Sequence, residues 1–336
     1  MASECLGSDG EGSRIVPLTD IDSEDERFRI TTLRESAGLQ KSIHRFGLCP
    51  PPLVAPDDGG FIIVSGFRRV NACQALGWNS IPVRLLRSAS GYELALKAVA
   101  ENSLERPLNL IETSRALNLL EQAADDGRLA DADASALGLP THRGVTSQLK
   151  RLCRMPVEVQ GGVLEGALSF AMACELGCME EGLATAFARL FRRLKPSLNK
   201  QREIVSRVAE IAVRERIDPR QVLDECGLKH TTGPADPERN QQIHAIRRRL
   251  RQRRYPAVAA AEDNFLALRQ RLKLGEMIQL APPRDFEGAG FTLTLNFQTI
   301  ADVAHLRAKL DELIDHPDFN RLLTGKGRGF EESSGS

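Results

Sequence analysis

The chain has 336 residues, 42% of them hydrophobic and 27% charged, and its 45 basic and 45 acidic side chains give a net charge of zero. This length predicts two or three domains. No apolar run approaches the roughly eighteen residues of a membrane span, and the first residues lack a basic and apolar leader. We therefore expect a cytoplasmic protein without a membrane partner.

Seven cysteines are scattered along the chain without the paired spacing of a zinc site or of a disulfide framework. We expect them to be reduced thiols. Cys174 and Cys178 form the closest pair and would share one helical face. No matching His or Cys pair follows them, so buried packing is favoured over metal binding.

The N-terminal part alternates strand and helix patterns. Residues 1–13 are small and polar and are predicted to be disordered, whereas residues 14–90 are predicted to form a mixed α/β domain. The β-branched run Phe61–Val64 predicts a buried strand. Gly66 then opens a helix that Gly77 ends.

Helical patterns interrupted by glycine and proline follow, which predicts an all-helical domain over residues 91–228. Residues 229–237 are polar and contain proline, as is typical of a linker. Residues 238–325 predict a small α+β domain whose long first helix is interrupted at Pro256. Residues 326–336 are predicted to be a disordered tail.

The junction between the buried strand and the next helix has the features of a phosphate site. A glycine at a helix start lets the backbone approach a ligand, and the free N–H groups and the helix dipole favour an anion. Arg68 and Arg69 follow Gly66 directly and would pair with that anion. These residues alone also permit a second interpretation, in which Gly66 only turns the chain and the arginines are solvated.

Three sequence boxes resemble those of the ParB partition-protein family. In chain order they are GFRRVNA (66–72) with IPVRLL (81–86), ENSLERPLNLIE (101–112), and EVQ (158–160) with EGALS (165–169). The resemblance implies an N-terminal domain of the ParB/sulfiredoxin fold, an all-helical middle domain with a helix-turn-helix, and a small α+β C-terminal domain.

Members of this family bind CTP with Mg²⁺ between the first two boxes and use the nucleotide to close a dimeric clamp on DNA. The resemblance therefore implies a nucleotide site and a metal site in this chain. The implied contacts are Gly66, Arg68, Arg69, Asn102 and Arg106 with the nucleotide, and Glu101 and Asn102 with the metal. A carboxylate and an amide oxygen suit Mg²⁺, and a pair on a solvated helix surface is the alternative.

The chain departs from the family pattern around this site. Phe67 and Asn71 stand where the family usually has glutamate and arginine. Arg106 falls one residue late, with Glu105 in its place, and one residue on a helix turns a side chain by about 100°. We therefore expect at most weak CTP hydrolysis. Sulfiredoxin chemistry needs a cysteine beside the arginine, where Ser65 stands here, so that activity is not expected.

Two short helical patterns around Gly138–Pro140 predict a helix-turn-helix for double-stranded DNA. The second pattern, Arg143–Arg154, would turn Val145, Leu149 and Leu152 inward. Its other face carries side chains that can bond base edges and phosphates. These are Arg143, Thr146, Ser147, Gln148, Lys150 and Arg151. A solvated basic helix remains the alternative.

Two features of the C-terminal part concern assembly and charge. The tract Arg247–Arg254 lies on a predicted helix and either contacts phosphates without sequence preference or forms a solvated stem. The strictly alternating strand Phe291–Phe297 belongs to a two-stranded unit, whose open edge a second copy would close. We expect residues 238–325 to form a symmetric homodimer, and packing on the same chain is the alternative.

The combined interpretation is a nucleoid-associated, CTP-gated DNA clamp that acts in chromosome or plasmid partition, with a partition ATPase as a candidate partner. The alternative is a transcriptional regulator that keeps the fold and has lost nucleotide hydrolysis. A nuclease on the same scaffold is not favoured, because the sequence contains no cluster of acids suited to a catalytic metal.

Overall fold

The computed structural model describes residues 11–34, 37–87, 89–125, 129–225, 236–283, 286 and 290–323. The chain forms two compact units, Met1–Gln201 and Arg202–Ser336. In the described part of the chain, no helix has both the length and the apolar character needed to cross a membrane.

The first unit combines a sheet with helices. Its elements are β1 (Glu11–Pro17), β2 (Ile21–Asp22), α1 (Ala37–Phe46), β3 (Leu53–Asp57), β4 (Gly60–Ser65), α2 (Phe67–Ala75), β5 (Ser80–Leu86), α3 (Gly91–Glu105), α4 (Leu110–Ala123), α5 (Asp131–Ala136), α6 (Arg143–Leu152), α7 (Val157–Leu164), α8 (Phe170–Leu176) and α9 (Glu181–Leu194).

Helix α10 (Leu198–Glu215) spans the division between the units. The elements that follow are α11 (Pro219–Glu225), α12 (Asp236–Arg254), α13 (Pro256–Leu272), β6 (Ile278–Ala281), β7 (Thr292–Leu295), α14 (Ile300–Ile314) and α15 (Pro317–Leu323).

The five-stranded sheet has the order β1-β5-β3-β4-β2. Strands β3 and β4 are antiparallel neighbours in the middle of the sheet, and β3 also lies parallel to β5. Val54, Ile63 and Val64 are buried on these central strands, as the apolar run in the sequence predicted. The sheet and the helices that follow it confirm the predicted mixed α/β and mostly helical fold class.

The N-terminal boundary differs from the sequence prediction. Strand β1 begins at Glu11 and pairs with β5 from Leu86 to Ser80, so residues 11–13, which we expected to be disordered, belong to the sheet. Small polar residues can occupy an edge strand because the backbone makes the ladder bonds. The rest of that segment, most of the predicted linker and the predicted tail lie outside the described residues.

Polar side chains of α4 form hydrogen bonds with the end of α6 and with the residues just after it. Ser114 Oγ accepts a hydrogen bond from the backbone N–H of Cys153 at 3.0 Å. Asn118 Nδ2 donates to the carbonyl of Lys150 at 2.8 Å, and Asn118 Oδ1 accepts from Arg154 at 2.6 Å. Ser114 and Asn118 are buried. These bonds hold the end of α6 against α4.

The second unit contains the predicted two-stranded ladder, with Leu280 opposite Leu293. Its hydrophobic core includes Phe265 and Leu306, from α13 and α14. Helix α12 ends at Arg254 and α13 begins at Pro256, which is the predicted interruption. The division between the units falls at residue 201, however, and not at the predicted linker 229–237.

Candidate functional site

Gly66 joins β4 to α2 in a conformation that other residues adopt at a cost. Its φ is +99°, in the left-handed region. A Cβ at this position would lie 2.8 Å from Pro52 Cβ and 3.1 Å from Arg69 Nε. Both the positive φ angle and the lack of room for a Cβ therefore require glycine at this position. The first N–H groups of α2 lack partners within the helix and carry the positive end of its dipole, which suits an anion.

This helix start opens on a cleft of about 230 Å³. The cleft collects every residue that the sequence predicted for the nucleotide. They are Gly66, Arg68, Arg69, Asn102 and Arg106. Apolar lining comes from Ile30, Leu33 and Leu39, which the sequence did not assign to the site. These residues precede the first box by about thirty positions, and only the fold brings them to it.

The Arg69 guanidinium is held in a fixed direction at the cleft. Its Nη1 donates to the carbonyl of Pro50 at 2.6 Å. Burial lowers the pKa of Arg69, and the carboxylates of Glu105 and Glu101 oppose that change. An arginine stays charged in a protein, so a desolvated positive charge faces the cleft. Such a charge interacts more strongly with an anion than a solvated one does.

Arg106 lines the cleft and also makes a two-bond ion pair with Glu112. Arg106 Nη2 lies 2.7 Å from Glu112 Oε1, and Nη1 lies 2.8 Å from Oε2. Glu112 is fully buried and also accepts the backbone N–H groups of Thr32 and Asn109. Burial raises the pKa of Glu112, but the bonds from Arg106, Thr32 and Asn109 outweigh it and lower the pKa to about 2.

Glu112 therefore connects the end of α3, the start of α4 and the segment around Thr32 that borders the cleft. The sequence contained a signal for part of this arrangement. Asn109 and Glu112 form a capping box, in which each side chain accepts from the other's backbone N–H. The contacts with Thr32 and Arg106 carried no such local signal.

The predicted metal ligands do not converge. Glu101 pairs with Arg84 at 2.7 Å and does not line the cleft, whereas Asn102 does. Asn102 Nδ2 donates to the carbonyl of Ala98, which leaves its Oδ1 as the acceptor on that side chain. Glu105 lines the cleft instead. Among the described residues, no group of three or more His, Cys, Asp and Glu side chains is placed to hold a metal.

The two short helices of the predicted helix-turn-helix correspond to α5 and α6, and a turn with Gly138 at φ +68° lies between them. On α6, the predicted DNA contacts Arg143 and Gln148 are exposed. Val145 was expected to face inward, but it is 42% exposed. Its position in the first turn of α6 places it before the part of the helix that packs on α4.

The other predicted DNA contacts of α6 have partners within the chain. Lys150 Nζ lies 2.7 Å from Glu121 of α4. The hydroxyls of Thr146 and Ser147 donate to carbonyls three residues earlier, each at 3.1 Å. Arg151 donates to the carbonyl of Gly177 at 3.4 Å. To reach a phosphate, Lys150 must therefore break its ion pair with Glu121. Among the described residues, none forms an ion pair with Arg143.

The arginine-rich tract of α12 faces carboxylates of its own unit. Arg247 pairs with Glu203, and Arg254 with Glu210. Arg253 pairs with both Glu215 and Glu225, and these carboxylates raise its pKa. Neither interpretation offered by the sequence describes this arrangement, in which the tract joins α12 to α10 and α11.

Comparisons with known proteins identify the N-terminal region. Residues 4–103 match the ParB N-terminal domain. The chromosome-partitioning protein ParB of Myxococcus xanthus is 28% identical over 218 residues, which cover 64% of this chain and 66% of the relative. The nucleoid occlusion protein of Bacillus pumilus is 32% identical over 133 residues, which cover 39% of this chain and 44% of the relative. The chain thus spans less than two thirds of the length of these relatives.

Among solved structures, two of C-terminally truncated ParB from Caulobacter crescentus are similar. One is complexed with CTP-gamma-S; it is 25% identical, covers 54% of this chain and 98% of that chain, and has a TM-score of 0.26. The other is complexed to the centromeric parS site; it is 22% identical, covers 56% of this chain and 96% of that chain, and has a TM-score of 0.33. Residues 4–103 thus match the family model of the ParB N-terminal domain, and the chain is similar to ParB partition proteins.

Proposed function

We propose that this chain is a partition-type DNA-binding protein that holds CTP in the cleft at the start of α2 and contacts DNA through α6. The observation that carries the proposal is the cleft itself. It brings the Gly66 turn and three arginines to one helix start, which is a favourable arrangement for phosphates. A ParB of Caulobacter crescentus has been crystallised with CTP-gamma-S, which supports CTP as the ligand.

The parts of the cleft suit different parts of a nucleotide. The helix start with Arg68 and Arg69 would bind the phosphates, and the apolar side chains of Ile30, Leu33 and Leu39 would contact the base and sugar. Asn102 and Glu105 add oxygen atoms, the ligand type that Mg²⁺ prefers. Bound Mg²⁺ would neutralise phosphate charge beside Glu105. Glu101 is occupied by Arg84 and has no part in this assignment.

Helix α4 would connect the two sites. At its start, Glu112 bonds Thr32 and Arg106 beside the cleft. Further along, Ser114 and Asn118 bond the end of α6. A nucleotide phosphate that draws Arg106 away would disturb the first set of bonds. The change would reach α6 through one rigid helix, which is a physical basis for coupling nucleotide binding to DNA binding.

A DNA clamp needs two copies of the chain, and we propose that the second unit joins them as a homodimer. Strands β6 and β7 form a two-stranded sheet, which on its own leaves both outer edges open. Phe297 is 61% exposed and Ile300 is 89% exposed beside it. Light scattering on the full chain should give a dimer mass at micromolar concentration, and a monomer mass would contradict the proposal. A partition ATPase remains a proposed partner.

Calorimetric titration of the full chain with CTP tests the nucleotide proposal. We expect binding with Mg²⁺, weaker binding without it, and altered binding when DNA is present. GTP and ATP serve as matched controls for the base. DNA binding measured without nucleotide separates the two sites. If DNA binds but no triphosphate does, the chain is instead a ParB-fold regulator without a nucleotide, and this proposal is wrong.

A further inference from the structure

Two cysteines lie together at the end of α8, outside the nucleotide cleft. Cys178 is exposed, and Cys174 is half-buried one helical turn earlier. The Cys178 thiol donates to the carbonyl of Cys174 at 3.3 Å. This bond holds Cys178 against the helical turn that carries Cys174, and the Cys178 thiol also acts electrostatically on Cys174.

The turn that carries this pair contacts the end of the DNA-binding helix. Arg151 Nη2 lies 3.4 Å from the carbonyl of Gly177 and 4.0 Å from Cys178 Sγ. Gly177 also lies against the end of the Met155 side chain, three residues beyond α6, and a Cβ at Gly177 would require that flexible side chain to shift. A movement of Gly177 would therefore be transmitted to both Arg151 and Met155.

The two thiols differ in their surroundings. Burial raises the pKa of Cys174, while the positive charge of Arg151 opposes this. Cys174 is thus a protonated thiol near neutral pH. Cys178 is open to solvent, where a small oxidant can reach its sulfur. An accessible cysteine next to a second one is the arrangement found in redox-sensing proteins.

We propose that Cys174 and Cys178 form a reversible disulfide when the protein meets hydrogen peroxide. The Cys178 sulfur attacks one peroxide oxygen, the O–O bond breaks, and a sulfenic acid and water result. The Cys174 sulfur then attacks the Cys178 sulfur, the S–O bond breaks, and the hydroxyl leaves with the Cys174 proton as water. Two thiols and one peroxide become one disulfide and two waters, and a dithiol reductant reverses the change.

Disulfide formation would require the helix end to tighten. Residues four apart on a helix have Cβ atoms about 5–6 Å apart, and a disulfide needs about 3.5–4.5 Å. Cys178 follows the last helical residue, Leu176, where the backbone can adjust. The adjustment would move Gly177 and Cys178, which are both contacts of Arg151. We therefore expect oxidation to change the contribution of Arg151 to DNA binding, a step that rests on the proposed function.

Peptide mapping of the full chain after peroxide treatment tests the disulfide. In the wild type, the peptide containing both cysteines should lose two hydrogens, and dithiothreitol should restore them. Cys174→Ser should instead accumulate oxygen on Cys178, because the second thiol is missing. Cys49→Ser, which removes another exposed thiol, should still form the disulfide. An unreacted pair, or cross-linking of either cysteine to a different one, would overturn the proposal.

The effect on DNA is measured separately, as the dependence of affinity on salt. Loss of one phosphate contact lowers the logarithmic slope by about 0.9. Oxidised wild type should resemble reduced Arg151→Ala, and oxidation of Arg151→Ala should change nothing further. An unchanged slope in the mapped disulfide form would overturn the link to Arg151. If reduced wild type does not bind DNA at all, the proposed function fails, while the peptide map still decides the disulfide.

Discussion

Two arginine-rich regions of this protein use the same side chain in opposite ways. In α12, arginines face glutamates on α10 and α11, as Arg254 does with Glu210 at 2.7 Å. At the cleft, Arg69 bonds a backbone carbonyl, Pro50 O, which carries no net charge. Arg247, Arg253 and Arg254 are paired with carboxylates of their own unit, whereas the charge of Arg69 remains to attract a ligand.

The difference shows that a basic run is a poor guide to a binding site when its partners are unknown. Arg247–Arg254 is the most basic stretch of the sequence, yet its paired arginines serve packing between helices. Arg106 of the cleft forms an ion pair with Glu112, whose carboxylate is fully buried, whereas the carboxylates that pair with α12 are partly exposed.

The largest expected effect is on stability. Glu112→Ala leaves the Arg106 charge and the N–H groups of Thr32 and Asn109 without their acceptor, and breaking such a buried pair costs roughly 3–5 kcal/mol. The matched control Glu210→Ala breaks an exposed pair, which costs about 0–1 kcal/mol. Urea unfolding followed by fluorescence of Trp78, the single tryptophan, measures the first variant. Urea unfolding followed by circular dichroism measures Glu210→Ala. An equal loss of unfolding free energy in the two variants would contradict the expected difference between the two ion pairs.

Acid should remove the contribution of Glu112. Its folded-state pKa is about 2, below the ordinary 4.5, so its stabilisation is fully present above pH 5 and is lost as the pH falls toward 2. The shift corresponds to roughly 3 kcal/mol. Urea unfolding at pH 7, 5, 4 and 3 should show the gap between wild type and Glu112→Gln narrowing with acid. A constant gap would show that the carboxylate charge does not matter.

Arg69→Ala should weaken CTP binding by about ten- to hundredfold, since a bond from a charged donor contributes about 1.5–3 kcal/mol. Arg254→Ala, which removes an arginine already paired with Glu210, should leave CTP affinity unchanged. Calorimetric titration measures both, and the Trp78 unfolding curve checks that Arg69→Ala is folded. Equal affinity in the wild type and a folded Arg69→Ala would remove this arginine from the site.

The smallest expected effect is on the salt dependence of DNA binding. Arg143→Ala should lower the logarithmic slope by about 0.9, as one phosphate contact releases about one counterion. Arg254→Ala should leave the slope unchanged, because Glu210 neutralises that charge within the protein. Fluorescence anisotropy on a labelled duplex at several salt concentrations measures both slopes. A larger change for Arg254→Ala would show that the tract on α12 contacts DNA after all.

The local features of this protein could be predicted from short stretches of its sequence. The apolar β-branched run Phe61–Val64 predicted β4, and Gly66 predicted the turn and the start of α2, because these features depend on neighbouring residues. The same reasoning predicted the interruption at Pro256 and the helix-turn-helix. The family resemblance then placed Gly66, Arg68, Arg69, Asn102 and Arg106 at one site, and the fold brings these residues to one cleft.

Contacts between segments that are distant in the sequence determine which charged side chains are available to bind a ligand. Glu101 was predicted for a metal and pairs with Arg84, seventeen positions earlier. Glu112 meets Thr32 across eighty positions, and Arg254 meets Glu210 across forty-four. Sequence patterns report on residues that share a turn of helix or a strand face. The partner of a charged side chain depends on which helices and strands pack together. That partner then decides whether the charge stabilises the fold or remains to bind a ligand.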